Sequence, residues 1–413
     1  MDIRKVARRS GYVVLVLLAI GAIGFAALYF KQVPIPDLAA ATAVDSKIHD
    51  ERYTPVIRDV RDELDERRQS LTAPSISLAV AVDGELVWAE ARGYADLESQ
   101  EAATLDTTYL VGSVSKPITA ALVAKLWEDG LIDLDADVRE YVPAFPEKAH
   151  PVTLRQLLSH QAGIRHYKRA LTPLHSEMAR NEQFDTIESS LAIFKDDELL
   201  FEPDTSFNYS TYGYTLVSAA VEGATGRSFH ELLEERVFEP LAMSRSTLDD
   251  DSSPTRVSDY VVLLSDSAVL PAPETNNSYK WAGGGIVSTP SELARFGAAM
   301  LRNELLSEAT SEVVFTARKT ADGELNPQHY GLGWRMGGIR YAENEDDEPE
   351  ILPLISHGGS SMGSASVLLL LPEHDIVVAM TANSVADGGS GPVTSVAADI
   401  MREFLRFKSA TQP

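Results

Sequence analysis

The sequence predicts an α/β fold of the α+β type, in which an antiparallel sheet is flanked by helices and a mainly helical region is inserted at about residues 130–300. Three observations support this prediction. Strand patterns occur near the beginning of the chain, the middle carries helix-start signals with few strand patterns, and strand patterns return before a final helix. A sheet assembled from both ends of the chain satisfies this order.

The first strand pattern lies just after an amphipathic helix that is predicted over residues 55–70. Two apolar runs, residues 75–82 and 85–89, are separated by Asp83-Gly84. Because both residues of such a pair readily adopt positive φ, the pattern predicts a β-hairpin with a two-residue turn.

The remaining elements follow from periodicity and capping signals. Apolar residues recur every four positions over residues 113–129 and Gly130 ends the pattern, which predicts a helix. Residues 363–371 and 376–381 predict a second hairpin, and a final helix is expected over residues 392–407. Three capping-box patterns mark helix starts in the middle region: Thr153 with Gln156, Ser228 with Glu231, and Thr289 with Glu292.

Composition excludes several classes of function. The chain has 413 residues and a formal net charge of -25, and phosphate binding needs clustered basic residues, so a nucleic-acid partner is not expected. The chain has no cysteine, which removes thiolate nucleophiles and cysteine-bound metals. The histidines show no metal-binding spacing, so we expect neither a metal nor another cofactor.

The N-terminal region predicts a membrane anchor. Four basic residues lie within residues 1–10, and residues 11–30 form an uncharged, mostly apolar run. About 20 such residues span a bilayer as a helix, with the basic flank in the cytoplasm. A cleaved signal peptide is the alternative, although its apolar region is usually shorter. Residues 31–50 are predicted to be a tether, and residues 51–413 the catalytic domain.

Ser113 and Lys116 are the first candidates for chemistry. Residues three apart on a helix share one face, so the lysine amine can reach the serine hydroxyl. A serine hydroxyl needs a base, and a lysine with a lowered pKa can serve as one. A helix N-terminus also offers backbone N–H groups to an oxyanion. The alternative is a surface serine and lysine at a helix cap.

Two later segments carry further candidates. The hydroxyl of Tyr209 near a lysine can relay protons between nucleophile and leaving group, although most tyrosines are structural. His357, Gly358, Gly359 and Ser360 precede a strand. Glycines there let backbone N–H groups approach a ligand and complete an oxyanion hole, with His357 donating to a substrate carboxylate or carbonyl. The alternative is a glycine-rich turn with a surface histidine.

These three segments, in this order, resemble the penicillin-recognising serine hydrolases, which include class C β-lactamases, D-Ala-D-Ala carboxypeptidases and related esterases. The resemblance covers about residues 70–407 and implies a class C β-lactamase-like fold. The Ser-x-x-Lys motif of the family matches residues 113–116, its Tyr-x-Asn motif matches 209–211, and its Lys-Thr-Gly motif matches 357–359. Residues 164–167, 209–216 and 277–285 resemble the mitochondrial β-lactamase-like proteins of animals.

Two departures from the family pattern bear on substrate. Thr211 replaces the Asn that holds the amide side chain of a lactam, and His357 replaces a lysine that attracts its carboxylate. A histidine with an ordinary pKa is mostly neutral at pH 7. The resemblance therefore implies a serine hydrolase acting on small peptides or esters, or on β-lactam-like molecules less efficiently. A catalytically silent binding or assembly protein is the alternative.

The anchor and the resemblance together predict a single-pass protein of a bacterial inner membrane, with its catalytic domain on the periplasmic side. The sequence is compatible with self-association but does not determine the oligomeric state.

Overall fold

A main antiparallel sheet lies between two layers of helices. The computed structural model describes residues 31–35, 44–168, 176–250, 256–262, 267–343, 348–386 and 388–411. The strands are β1 (Val33–Pro34), β2 (Val44–Ile48), β3 (Ser75–Val82), β4 (Glu85–Asp96), β5 (Glu101–Ala102), β6 (Tyr109–Leu110), β7 (Thr247–Leu248), β8 (Tyr260–Val261), β9 (Ala268–Pro271), β10 (Ile286–Ser288), β11 (Arg335–Tyr341), β12 (Glu350–Ser360), β13 (Ala365–Leu371), β14 (Ile376–Ala382) and β15 (Ser384–Val385).

The helices fill the middle of the chain and its end. The α-helices are α1 (Thr54–Ser70), α2 (Ser115–Glu128), α3 (Leu154–Leu158), α4 (Ile187–Ser190), α5 (Thr211–Thr225), α6 (Phe229–Leu233), α7 (Trp281–Gly284), α8 (Pro290–Leu301), α9 (Glu308–Val314) and α10 (Gly391–Thr411). Short 3₁₀ turns cover Glu51–Tyr53, Gly112–Val114, Val138–Glu140, Glu177–Ala179, Leu191–Ile193 and Pro372–His374, and a π turn covers Glu234–Phe238.

The main sheet has eight strands in the order β11-β12-β13-β14-β3-β4-β2, and β5 pairs with β4. Its centre joins the two ends of the chain, because β14 pairs antiparallel with β3 and Ile376 lies opposite Val82. The antiparallel sheet flanked by helices, with the helical insertion between its strands, is therefore confirmed.

Helices cover both faces of this sheet, and the central strands are apolar on both sides for that reason. In β13, Leu368 and Leu370 pack with α2 and α8, whereas Val367 and Leu369 pack with α1 and α10. The same alternation of faces holds in β14 and β3. The two faces therefore carry two separate hydrophobic clusters, and α2, which follows Ser113, belongs to the first.

Both predicted hairpins form. Asp83 and Gly84 have φ of 54° and 86°, as a two-residue turn between β3 and β4 requires. The second hairpin joins β13 to β14 through a 3₁₀ turn that ends at Asp375, whose φ is 48°. The predicted helices over residues 55–70, 113–129 and 392–407 correspond to α1, α2 and α10.

Two of the predicted capping boxes are complete, at Thr153 and at Ser228. The third differs. Thr289 accepts from the backbone N–H of Glu292, but the Glu292 carboxylate accepts from Ser246 and from the backbone of Arg245. A tertiary partner has replaced the local one, because Glu292 is buried where α8 meets the loop before β7.

A small sheet positions the chain just before Ser113. Strand β10 pairs antiparallel with β6, and Val287 lies opposite Leu110. On its other side β10 pairs with β7. The residues that lead into the candidate nucleophile are thus held by strands from the helical insertion.

The predicted N-terminal anchor and tether are only partly covered by the described residues. The predicted membrane helix, residues 11–30, lies outside the described residues. Within the described part of the chain, none of the helices is both long enough and apolar enough to cross a membrane. In the predicted tether, Val33–Pro34 pairs with β9 and Val44–Ile48 forms an edge strand beside β4.

Candidate active site

The turn that carries Ser113 is held by backbone and hydroxyl contacts. Val111 donates its N–H to the carbonyl of Ile286 at 3.0 Å, and its own carbonyl accepts from the Ser366 hydroxyl at 2.6 Å. The Ser115 hydroxyl donates to the carbonyl of Gly112 at 2.7 Å. These contacts fix Ser113 at the start of α2, with its side chain partly exposed to a pocket.

Lys116 contacts the hydroxyl of Ser113 from one helical turn further on. Its Nζ donates to Ser113 Oγ at 3.2 Å, to Thr211 Oγ1 at 3.2 Å and to the carbonyl of Gly283 at 2.5 Å. The lysine is fully buried, and none of these partners is a carboxylate. The two predicted residues therefore meet, and Thr211 joins them.

Burial is the main cause that lowers the pKa of Lys116 well below its ordinary value, because the charged form is poorly solvated there. The positive charges of Arg335 and Lys280 lower this pKa further. An amine in this environment is available to accept a proton near neutral pH.

Tyr209 lies beside both groups. The Nζ of Lys116 is 4.7 Å from the centre of the Tyr209 ring. Burial raises the pKa of Tyr209 to about 12, against the opposing effects of a hydrogen bond with Ser113 and the charge of Arg335. The phenol is therefore protonated at neutral pH and can give or relay a proton.

The backbone of β12 packs directly on the nucleophile turn, and two glycines permit this approach. A Cβ on Gly359 would lie 2.0 Å from the carbonyl oxygen of Val111 and 3.1 Å from the backbone N of Ser113. A Cβ on Gly112 would lie 2.8 Å from the backbone N of Ser360, and Gly112 has φ of 50°. The N–H groups of Ser113 and Ser360 are thus brought to one place.

His357 is placed differently from the other predicted residues. It is fully buried, its Nε2 lies 2.8 Å from the hydroxyl of Tyr330, and its Nδ1 lies 2.8 Å from the carbonyl of Gly358. Burial, with the charges of Arg335 and Lys116, lowers the pKa of His357 well below its ordinary value. Both ring nitrogens are occupied by protein groups, and the imidazole is neutral.

A pocket of about 250 Å³ opens beside Ser113. It is lined by Ser113, His166, Tyr167, Met178, Tyr209, Thr211, Lys280, Gly283, Gly284, Arg335, Gly358, Ser360 and Ser390. Of the predicted site residues, Ser113, Tyr209, Thr211, Gly358 and Ser360 line this pocket. A larger polar cavity of about 490 Å³, between Asp249 and Trp281, has no serine–lysine pair among its described lining residues.

Two cations of the pocket were not predicted. Arg335 begins β11 and is half-buried, with its guanidinium 5.7 Å from the centre of the Tyr209 ring. Lys280 is buried and caps α7. Lys280 is an isolated cation between aromatic residues in a glycine-rich stretch, and that pattern could have identified it. Arg335 carries no comparable signal, because its position depends on how β11 meets the sheet.

Comparisons with known proteins agree with this geometry. A family model described as Beta-lactamase matches residues 60–399. The chain is similar to the serine beta-lactamase-like protein LACTB, mitochondrial, of Homo sapiens, with 30% identity over 402 residues that cover 78% of this chain and 73% of that protein. It is also similar to penicillin-binding protein 4* of Bacillus subtilis (strain 168), with 25% identity over 75% of this chain and 68% of that protein.

Solved structures include a similar fold. The octameric penicillin-binding protein homologue from Pyrococcus abyssi matches with a TM-score of 0.69 and 25% identity, covering 84% of this chain and 77% of that one.

The predicted location at a bacterial inner membrane, with the catalytic domain in the periplasm, is wrong. The relative at 30% identity is described as mitochondrial. In the part of the chain that the structure describes, none of the helices has the length and apolar character of a membrane span. The longest of them, α10, carries charged residues and packs only one face on the sheet.

The match to the family model covers most of the chain, and the relative at 30% identity is matched over more than two thirds of both sequences. The chain therefore belongs to the beta-lactamase family and is a serine hydrolase.

Proposed function

We propose that Ser113 attacks the carbonyl of a small peptide or ester and forms an acyl-enzyme, with Lys116 as the general base. The observation that carries this proposal is the 3.2 Å contact between Lys116 Nζ and Ser113 Oγ, made by a buried amine that has no carboxylate partner among the described residues. A base within hydrogen-bond reach of the nucleophile, with a pKa lowered toward neutrality, is what such an attack needs.

In the acylation step, neutral Lys116 removes the proton as Ser113 Oγ bonds to the carbonyl carbon. The negative charge that develops on the carbonyl oxygen is stabilised by the backbone N–H groups of Ser113 and Ser360. The close approach of β12 to the nucleophile turn at Gly359 supports this assignment.

Collapse of the tetrahedral intermediate requires a proton on the leaving group. Lys116, now protonated, supplies it directly or through the hydroxyl of Tyr209, whose ring lies 4.7 Å from the Lys116 amine. In deacylation a water molecule attacks the ester of Ser113 and gives its proton to the same groups, which return it to Ser113 Oγ as the bond between Oγ and the acyl carbon breaks.

The walls of the pocket favour a substrate with a negative charge near the scissile bond. Arg335 and Lys280 line the pocket, and no Asp or Glu is among its described lining residues. The family's lysine position is occupied by His357, which is neutral and turned toward Tyr330. The charge-binding role expected for His357 is therefore assigned to Arg335, and small peptides or esters that carry a carboxylate near the scissile bond are the favoured substrates.

Labelling of the full-length chain tests this proposal. A fluorophosphonate and a penicillin are added separately, and mass spectrometry locates the adduct, which we expect on Ser113 at least with the fluorophosphonate. Hydrolysis of p-nitrophenyl esters should fall by about 10³-fold or more in Ser113→Ala. The matched control is Ser395→Ala, because Ser395 is exposed on α10, and it should retain full activity.

The opposite result supports the silent binding or assembly protein. Folded protein that forms no adduct, with equal ester hydrolysis by the wild type and Ser113→Ala, would overturn the catalytic proposal.

A further inference from the structure

A second buried lysine lies in the pocket with Ser113. Lys280 is 3% exposed and is the residue before α7. Among the described residues its Nζ makes one long hydrogen bond, 3.5 Å, to the carbonyl of Met178, and it lies 5.3 Å and 5.9 Å from the ring centres of Tyr279 and Tyr167. The proposed chemistry gives this amine no step, although its side chain lines the reaction pocket.

Lys280 and Lys116 are joined through one short segment. The turn that begins at Lys280 supplies Gly283, whose carbonyl accepts from Lys116 Nζ at 2.5 Å. Both amines are buried, and water does not screen charges well in such a site. The Lys280 side chain packs along this turn, with its Cδ 4.0 Å from where a Cβ on Gly284 would lie, so a positive charge on Lys280 disfavours the charged form of Lys116.

The groups that face Lys116 are cations and neutral side chains. Ser113 comes from the nucleophile turn, and the hydroxyl and ring groups come mainly from α5 and the residues just before it. The basic side chains come from β11, from β12 and from the residue before α7. They are Ser113, Tyr209, Thr211, Tyr214, His160, His357, Arg335 and Lys280. No carboxylate of the described residues forms an ion pair with Lys116, so no local negative charge stabilises its protonated form.

We infer that the ammonium group of Lys280 acts through Lys116, by holding the Lys116 amine in its unprotonated form at neutral pH. Lys280 is thus assigned a positioning role, since among the described residues no hydrogen bond joins its amine to Ser113 or Ser360. This inference rests on the proposed role of Lys116 as the base.

The charge of Lys280 is present in the pH range that matters. Burial lowers its pKa to about 8, with the charge of Asp249 opposing and that of Arg256 assisting. Below about pH 8 Lys280 is mainly protonated, and its repulsion lowers the pKa of Lys116. Without that charge the Lys116 pKa rises, and a higher pH is needed to free the base.

The experiment measures the rate at which an uncharged fluorophosphonate labels Ser113 between pH 5 and pH 10. Labelling avoids any need for a charged substrate, so the loss of a substrate contact cannot imitate the effect. In Lys280→Met the acid limb of the pH–rate profile should shift to higher pH by roughly half to one pH unit. The rate well below the limb then falls about three- to tenfold, while the plateau at high pH is kept.

Two control variants separate charge from structure. Lys280→Arg retains a cation and should keep the acid limb within about 0.3 unit of the wild type. Lys168→Met removes an exposed lysine that is not among the pocket-lining residues, and it should leave the whole profile unchanged. A purely structural role for Lys280 would lower the plateau in Lys280→Met without moving the limb.

The inference is overturned if folded Lys280→Met labels Ser113 with the wild-type acid limb. If Lys280→Met does not fold, Lys280→Gln, with a polar end group, is measured in its place against the same criterion. Failure of the proposed function gives a different result, because then Ser113 is not labelled in the wild type at any pH.

Discussion

The hydroxyl of Tyr330 and the Nε2 of His357 lie 2.8 Å apart, and both side chains are fully buried. The other nitrogen of His357 faces the carbonyl of Gly358, which can only accept a hydrogen bond. Nδ1 therefore carries the proton, and Nε2 accepts from Tyr330. The histidine at the family's lysine position is buried and neutral and is not among the pocket-lining residues, and the pocket takes its positive charge from Arg335 and Lys280.

Tyr330→Phe removes the donor to His357 and leaves the buried Nε2 without a partner. We expect the free energy of unfolding to fall by about 1–3 kcal/mol, as measured by urea denaturation at pH 7. Hydrolysis of an uncharged ester should change by only a few fold, because neither residue is assigned a chemical step. Unchanged stability would contradict a hydrogen bond from the Tyr330 hydroxyl to Nε2 of His357.

Burial of Lys116 makes stability depend on pH. Its pKa is lowered in the folded protein, so between that lowered pKa and the ordinary value of 10.5 the unfolded chain binds more protons at this position. The contribution of Lys116 to stability is therefore most favourable above that ordinary value and becomes less favourable as pH falls toward the lowered pKa. Lys116→Met should lose this dependence. As pH falls through the interval, the free energy of unfolding of Lys116→Met relative to that of the wild type should therefore rise by up to about 1.4 kcal/mol per pH unit.

Urea denaturation at several pH values between 6 and 10 measures this difference. Lys319→Met is the control, since Lys319 is exposed, and it should follow the wild-type pH dependence. Parallel curves for the wild type and Lys116→Met would show that Lys116 is not buried as an unprotonated amine.

Gly359→Ala should separate β12 from the nucleophile turn. A Cβ there would lie 2.0 Å from the carbonyl oxygen of Val111, so one backbone segment must move. We expect fluorophosphonate labelling of Ser113 to slow by about 100-fold or more, because one oxyanion donor is misplaced. The free energy of unfolding should fall by about 1–3 kcal/mol. Gly391→Ala is the matched control, since a Cβ at that position meets nothing within 4 Å, and normal labelling of Gly359→Ala would argue against this oxyanion edge.

Arg335 should determine the preference for substrate charge. In Arg335→Gln we expect kcat/KM for an acidic peptide or ester to fall by about tenfold or more, and kcat/KM for its neutral amide analogue to change by less than about threefold. Both are measured on the high-pH plateau, where Lys116 is unprotonated in each protein. Arg335→Lys should recover part of the loss, and equal losses on both substrates would assign Arg335 a structural role.

Local patterns predicted the elements whose causes are local. The Asp83-Gly84 turn, the helix after Ser113 and the capping box at Thr153 depend on residues a few positions apart. The capping box predicted at Thr289 forms only one of its two hydrogen bonds, because the Glu292 carboxylate accepts from Ser246, which is distant in the sequence. A local signal fails where a buried polar group has a better tertiary partner.

The family, the sheet assembled from both chain ends and the serine–lysine pair were predictable from the residues alone, because helix periodicity places residues three apart on one face. The contact of His357 with Tyr330, and the positive charge that Lys280 and Arg335 bring to the pocket, depend on how distant segments pack together. Burial and charge at a site depend on segments far apart in the chain, and the protonation state of Lys116 follows from that shared environment.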